Sequence, residues 1–520
     1  MERSLLKSRY SIFFIIFLSA QSFSQPALSI KNTSYTYLKS NLEFLASDEL
    51  EGREATSRGE KIAALFISEE LEKYGVLPFG DSGSYYQDFN MIVSRYDENS
   101  KVSFLGKDGL QEEYIHGNEV FFSSRSWPGN DYANKEFEIV YVGYGITSEA
   151  DNYDSYRDLN VEGKVVLLIN GTPTIDGKEV LSKGIITKYG KYSDKAKLAQ
   201  SNGASGIIVL PNDEINNYWK YFQKWSNLKS FRLEDEVNTS QNSQSIPILI
   251  LNENSAKKLL LKEEFSFNDL LNDSEVVQKS FTLNTKVNLK YEFVVEKKLS
   301  RNVIGIIKGN KENLEREYLT IGAHYDHEGI KNGEIYNGAD DNGSGIVTVL
   351  EVARKLSLNT KNDRPVVVIF HAAEEKGLKG AKYLVNNSEF VNETIVHMNI
   401  DMIGRRSEDS IYCIGASKIS EELGKLVEEV NSYTSNFVLD YTFDKPNDPE
   451  KLYYRSDHIH YVNKGIPIVF FYDDMKKDYH KPTDTVEKIN FSKLLKMTDL
   501  VYNLALKISN LDHKLQVPNN

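Results

Sequence analysis

Cysteine is nearly missing from this sequence. Cys413 is the single one in 520 residues, so no intramolecular disulfide can form and no thiolate-rich zinc finger can be built. A metal held by this chain must rely on His, Asp and Glu. Positive charge is also in deficit: 62 Lys and Arg stand against 75 Asp and Glu, a formal net charge of -13. A broadly acidic surface repels phosphate backbones and anionic lipid, which argues against a nucleic-acid or anionic-membrane partner. Long apolar runs are lacking as well. The one near the N-terminus, Ile12 to Leu18, falls far short of the roughly 20 residues that cross a bilayer. No pair of His flanks a Glu at helical spacing, which excludes the helical zincin type of peptidase.

What is present is ordinary globular composition, 40% hydrophobic and 26% charged, in a chain long enough for two cores. Arg3, Lys7 and Arg9 precede the Ile12–Leu18 run, and small residues around Ser22 and Ser24 follow it. That layout reads as a secretory signal peptide over 1–24, with cleavage after Ser24 and no membrane segment in the mature chain. The expected location is therefore periplasmic or extracellular. Residues 34–75 read as helical, broken at Glu51-Gly52-Arg53, and 85–130 as short aromatic-rich strands. Between 135 and 280, the buried-strand runs Phe137–Val142, Val165–Ile169 and Gly206–Leu210 are separated by Gly and Asn turns, with a helix over Lys195–Asn202; this reads as an inserted β-rich domain.

From Asn302 onward apolar strands alternate with helical segments such as Ser344–Leu356 and Gly377–Val385. Alternation of this kind predicts a mixed, largely parallel α/β sheet with helices on both faces. In such sheets ligands bind beyond the carboxyl ends of the strands. His324 and Asp326 follow the strand ending at Ala323. Glu374 and Glu375 come shortly after Val366–Phe370, Asp401 follows Val396–Ile400, and His480 lies in the loop after the strand ending at Phe471. Asp340-Asp341 sits in a glycine-rich loop opening the helix at Ser344. Two terminal histidines, two terminal carboxylates and one bridging carboxylate hold a pair of zinc ions about 3.5–4 Å apart, and His324, His480, Glu375, Asp401 and Asp341 match that count.

The segments His324-Tyr325-Asp326-His327, Gly338 to Gly345, Ala373-Glu374-Glu375-Lys376-Gly377, Asn399 to Gly404 and Tyr479 to Thr485 resemble, in order and spacing, the five blocks of the zinc aminopeptidases related to glutamate carboxypeptidase. The resemblance extends to Leu45–Gly59. The 135–280 section resembles the protease-associated domain often inserted in that family, most clearly over Lys195–Leu210. What this implies is a division into 25–130 and 290–512 as peptidase and 135–280 as insert. It also implies two zinc ions: His324 and Asp401 on one, Glu375 and His480 on the other, Asp341 bridging, with the peptide after Asp341 commonly cis. Glu374 is then the general base that takes a proton from metal-bound water and passes it to the leaving amine. Asp326 stands behind the ligands, accepting a hydrogen bond from the other nitrogen of His324. Asp457, in Ser456-Asp457-His458, lies near the active site in the resemblance, as support or pocket wall or as a purely structural part. His327, His371, His397 and His460 match no ligand position.

The expected substrate is a peptide or protein, trimmed from its amino end. A carboxypeptidase or dipeptidase on the same metal core stays open, because specificity resides in pocket loops, and Arg405, Arg406 and Arg455 are near enough in sequence to meet a terminal carboxylate. A glutaminyl cyclase would lack the complete two-metal set. A receptor-like ectodomain would have lost ligands or the base.

Overall fold

The computed structural model describes residues 30–517 except 98, 124–131, 176, 241–245, 264, 268–269, 271–279, 406 and 474–476. The signal-peptide segment 1–24 and Arg406 lie outside the described residues. The fold is mixed α/β, with two large sheets.

The larger sheet runs, edge to edge, Ser230–Leu233, Tyr86–Tyr96, Phe293–Ile307, Val366–His371, Tyr318–His324, Thr394–Asp401, Ile468–Tyr472, Ser410–Ile414 and Val438–Asp440, with Leu77–Pro78 paired to Phe293–Ile307. Its centre is parallel: Tyr318–His324 lies between Val366–His371 and Thr394–Asp401, and Thr394–Asp401 pairs in turn with Ile468–Tyr472. These central strands read as unbroken apolar runs because both faces are covered. Val366, Val368 and Phe370 enter one core with residues of the helices Gly345–Asn359 and Phe491–Ser509; Val367 and Ile369 enter the opposite core with Leu384 and Val385 of Lys379–Asn387. The helices Ile30–Leu45 and Arg58–Lys73 lie on the first face. The second starts at Ser57, whose hydroxyl accepts from Glu60 N at 3.2 Å, and the Glu60 carboxylate accepts from Thr56 N at 2.7 Å, so two donors at the helix start are satisfied.

The second sheet has eight strands, in the order Gln111–Ile115, Lys101–Leu105, Phe281–Lys290, Glu136–Tyr141, Val165–Ile169, Gly206–Leu210, Ile248–Leu251 and Val120–Phe122. It takes strands from 101–122 and 281–290 as well as from 135–280. Conversely Ser230–Leu233, from inside 135–280, leaves this sheet and pairs antiparallel with Tyr86–Tyr96 at the edge of the larger one. Both features depend on pairings between segments distant in sequence, which strand patterning does not encode. Among the described residues no helix is long and apolar enough to cross a membrane.

Candidate metal centre

Parallel central strands bring their carboxyl ends to one edge of the larger sheet, and the polar residues past those ends meet there. His324 closes its strand, and its Nε2 lies 3.3 Å from Asp401 Oδ1 and 3.4 Å from Asp341 Oδ1. His480 Nε2 lies 3.3 Å from Asp341 Oδ2 and 3.0 Å from Glu375 Oε2. The two oxygens of Asp341 thus face two histidines, one each, and each histidine has a second carboxylate of its own. His324, Asp341 and Asp401 are buried, Glu375 nearly so, and His480 is part-exposed.

Local backbone places the pieces. Ala339–Ser344 forms an irregular turn ahead of the helix Gly345–Asn359, with a cis peptide between Asp341 and Asn342. Asn342 ties the turn to the Asp401 strand: its Nδ2 donates to Ile400 O at 3.0 Å, and its Oδ1 accepts from Met402 N at 3.1 Å. Asp340 points away and accepts from Gly404 N at 2.7 Å, so of the acidic doublet it is Asp341 that faces the histidines. Asp484 accepts the amides of both Asp340 and Asp341 at 3.0 Å. Ala373, Met402 and His480 hold positive φ of 54°, 54° and 49°, conformations that non-glycine residues adopt at a cost of about 1–3 kcal/mol each and that collect at functional sites.

Glu374 lies beside Glu375 in the loop after Val366–His371, and both line a narrow recess of about 30 Å³ together with His324, Asp341, Asp401 and His480. Met402, Leu452, Phe470, Tyr472 and Tyr479 supply its apolar wall. Asp326 is fully buried, and its carboxylate accepts Glu374 N at 2.9 Å and Glu375 N at 3.3 Å. The neighbour of His324 Nδ1 is the main-chain carbonyl of Asp326 at 3.1 Å, whereas the Asp326 carboxylate is 3.9 Å away. The side chain therefore holds the acidic loop, and the tautomer of His324 is fixed by the backbone. Asp457, also fully buried, lies 3.3 Å from His371 Nδ1; its neighbour Ser456 makes the direct contact, donating to Asp401 Oδ2 at 2.8 Å.

The electrostatics favour positive charge at the centre. Burial alone lowers an imidazole, yet Asp401 and Glu374 push His324 well above its ordinary range, and Asp341 and Glu375 bring His480 to about 10. Burial raises carboxyls, yet the histidines hold Asp341 well below its ordinary range and Glu375 at about 2. Glu374 is pushed well above the carboxylate range by burial and by its neighbours Glu375, Asp457 and Asp401, despite the opposing pull of His324. A field that draws protons onto two histidines equally stabilises divalent cations bound in their place. The donors also suit zinc, being imidazole nitrogen and carboxylate oxygen.

Several contributors carry no mark at sequence level. Arg53 is fully buried, and its guanidinium donates to main-chain carbonyls of Leu45, Tyr325 (2.9 Å), Asn337 (2.7 Å) and Gly338 (3.0 Å), stapling the N-terminal stretch to the His324 and Asp341 loops. Glu328 Oε1 lies 3.1 Å from His480 Nδ1. Of the arginines considered for a terminal carboxylate, Arg405 is committed to Asp484, with Asp340 and Asp478 each 3.9 Å away, while Arg455 lines the recess and faces Glu450 at 3.4 Å.

This geometry gathers imidazole and carboxylate donors around one shared carboxylate, and comparison with known proteins shows what the chain is similar to. Residues 302–505 match the model of peptidase family M28, and residues 135–259 match the PA domain. The chain is thus similar to M28 peptidases over 302–505 and to the PA domain over 135–259. Over 236 residues it is 30% identical to a probable leucine aminopeptidase of Trichophyton verrucosum, covering 42% of this chain and 61% of that protein. Over 339 residues it is 26% identical to aminopeptidase YwaD of Bacillus subtilis, covering 62% and 60%. The matched part thus spans about 60% of the length of these relatives. Among solved structures, an aminopeptidase from Aneurinibacillus sp. strain AM-1 shares the fold with a TM-score of 0.55 at 18% identity, over 94% of this chain and 96% of that one.

Proposed function

We propose that the protein is an exported, two-zinc aminopeptidase that removes single residues from the free amino end of peptides. The observation that carries this is the shared carboxylate of Asp341, each oxygen of which faces one histidine–carboxylate pair. His324 and Asp401 would hold one ion, His480 and Glu375 the other, and Asp341 both. The relatives named as aminopeptidases support the same activity, and the layout of residues 1–24 supports export.

Two bound zinc ions supply Lewis acidity toward the scissile carbonyl and a water acidic enough to ionise near neutral pH. Glu374, set in the recess beside these ligands and not needed as one, takes the proton from the attacking water and returns it to the departing amine. Asp326 grips the amides of Glu374 and Glu375 and thereby orients both carboxylates from below. The apolar wall of Met402, Leu452, Phe470 and Tyr472 accepts the side chain of the residue released, and its burial excludes water from the reacting groups. Arg455 at the recess favours a second reading, removal of residues from a free carboxyl end.

The test is a mixture of peptides, each with free and with blocked termini, incubated with the purified protein and read by mass spectrometry. Loss of single N-terminal residues only from free amines, abolished by chelator and by Glu374→Gln, supports the proposal. Cleavage that requires a free carboxyl end replaces it with a carboxypeptidase.

A further inference from the structure

We propose that His327 is a positioning residue for the metal centre: its Nδ1–H holds Glu375 Oε1 and so leaves Oε2 as the oxygen offered, beside His480, to the ion. The inference rests on Glu375 being a metal ligand, as in the proposed function. It concerns a residue that matches no ligand position in the sequence pattern.

His327 Nδ1 lies 2.9 Å from Glu375 Oε1, in line for a hydrogen bond, while Glu375 Oε2 lies 3.0 Å from His480 Nε2. The two oxygens of one carboxylate are thus divided between two imidazoles. An ionised carboxylate only accepts, so Nδ1 must carry the proton. The other ring nitrogen, Nε2, is buried and has no hydrogen-bond partner among the described residues. Asp341 Oδ2 is 3.8 Å from the same Nδ1, beyond hydrogen-bond reach, so the contact is specific to Glu375.

The residue is fixed by its backbone and backed by a glycine. His327 is fully buried, its main-chain N donates to Arg53 O at 3.2 Å, and its backbone forms an isolated β-bridge with Glu54. Gly338 backs the ring: a Cβ there would lie 2.5 Å from its Cγ, so a side chain at 338 would displace the ring from Glu375. Gly338 also has φ of +60°, where glycine alone is unstrained. Arg53 grips the carbonyls of both Tyr325 and Gly338. The fully buried arginine and the glycine together fix an imidazole whose single directed bond runs to Glu375. Carboxylates and imidazoles behind metal ligands orient them and typically change metal affinity about 10–100-fold when removed.

The test compares wild type with His327→Ala, His327→Gln and His327→Asn by zinc competition against a chromogenic chelator. The Asn amide nitrogen stands where Nδ1 stood; the Gln amide reaches instead to the place of Nε2. Wild type should hold two ions. Ala and Gln should weaken one of the two by about 10–100-fold, and Asn should recover most of that loss. Equal affinity in all variants, or an Asn variant as weak as Ala and Gln, overturns the positioning role; the second result is also what direct ligation by His327 would give, since an amide is a poor zinc ligand. Should the Ala variant fail to fold, the contrast between Asn and Gln carries the test alone. A wild type that binds no zinc sinks the two-ion reading and this inference with it, whereas a wild type with two ions and indifferent variants sinks this inference only.

Discussion

The larger sheet and the sheet of the insert each bury a run of parallel apolar strands, yet what stands just past their carboxyl ends differs. In the insert, Val165–Ile169, Gly206–Leu210 and Ile248–Leu251 are followed by Asn170, Pro211-Asn212 and Asn252. Asn212 and Asn252 cap the helices that follow them, and Asn170 braces Asn212. Asn212 accepts from Ile215 N at 3.1 Å and from Asn170 Nδ2 at 3.0 Å, and Asn252 accepts from Ser255 N at 2.8 Å. In the larger sheet the same places carry His324, Glu374 with Glu375, Asp401 and His480. Among the described residues, every group of three His, Cys, Asp or Glu side chains close enough to share an ion lies there. The second sheet has a groove of its own, of about 790 Å³, lined by Phe121, Tyr218, Phe222 and Trp225 among others. Parallel-strand architecture provides a convergent edge; only the residues placed on it decide whether that edge is a site.

The sharpest break of this comparison is Glu374→Gln, which should reduce turnover of a free-amine peptide about 10²–10⁴-fold while zinc content, measured by atomic emission, stays at the wild-type level. Loss of zinc along with activity would make Glu374 a ligand instead. Next is Asp484→Ala, which removes the acceptor of the Asp340 and Asp341 amides. A drop in zinc affinity of about tenfold or more is expected, read by chelator competition; unchanged affinity would mean the Asp341 turn holds itself.

The two regions should also answer pH with opposite sign. Burial pushes the Glu60 carboxyl in the peptidase region up to about 8. The folded state then binds more protons than the unfolded one between the ordinary carboxyl value and about 8, so this group's contribution to stability is lost as pH rises through that window. Burial lowers the Lys195 ammonium in the insert to about 7. There the unfolded chain binds more protons above about 7, and stability rises with pH toward the ordinary lysine value. Melting temperatures measured from pH 5 to 9 should fall less steeply with pH in Glu60→Gln than in wild type, and should lose part of the alkaline gain in Lys195→Met. Parallel pH curves for variant and wild type would refute the corresponding assignment. The smallest effect is expected from Asn212→Ala, which deletes a helix cap worth about 1 kcal/mol: a lower melting temperature for the insert, with kcat on peptides unchanged. A fall in kcat would show that the insert takes part in catalysis.

The central strands of the larger sheet and the meeting of His324, Glu375, Asp401 and His480 past their carboxyl ends were legible in sequence because each depends on local pattern: an unbroken apolar run, then a polar residue at or soon after its end. The layout of the edge strands was not. Nothing around Ser230–Leu233 announces that it pairs with Tyr86–Tyr96 rather than with its own neighbours, and the 101–122 strands look peptidase-like by position although they belong to the second sheet. The choice of Asp341 over Asp340 came from resemblance, and the geometry gives it a physical basis in the opposite directions of the two side chains. The supporting contacts were least legible. Asp326 was expected to steady His324 through its carboxylate; it holds the Glu374–Glu375 amides, a role that depends on how the loop after Val366–His371 folds back. Arg53 reaches main-chain carbonyls as far as 285 residues away, and His327 and Glu328 meet side chains in other loops, contacts that leave no sequence period.

The shared carboxylate of Asp341 is tested most directly by counting metal in the purified protein. The account predicts two zinc ions per wild-type chain and, in Asp341→Ala, weakened binding of both ions, because one side chain serves each half of the centre. A wild type that saturates at one ion, or an Asp341→Ala variant that loses a single ion and keeps the other at full affinity, would contradict it.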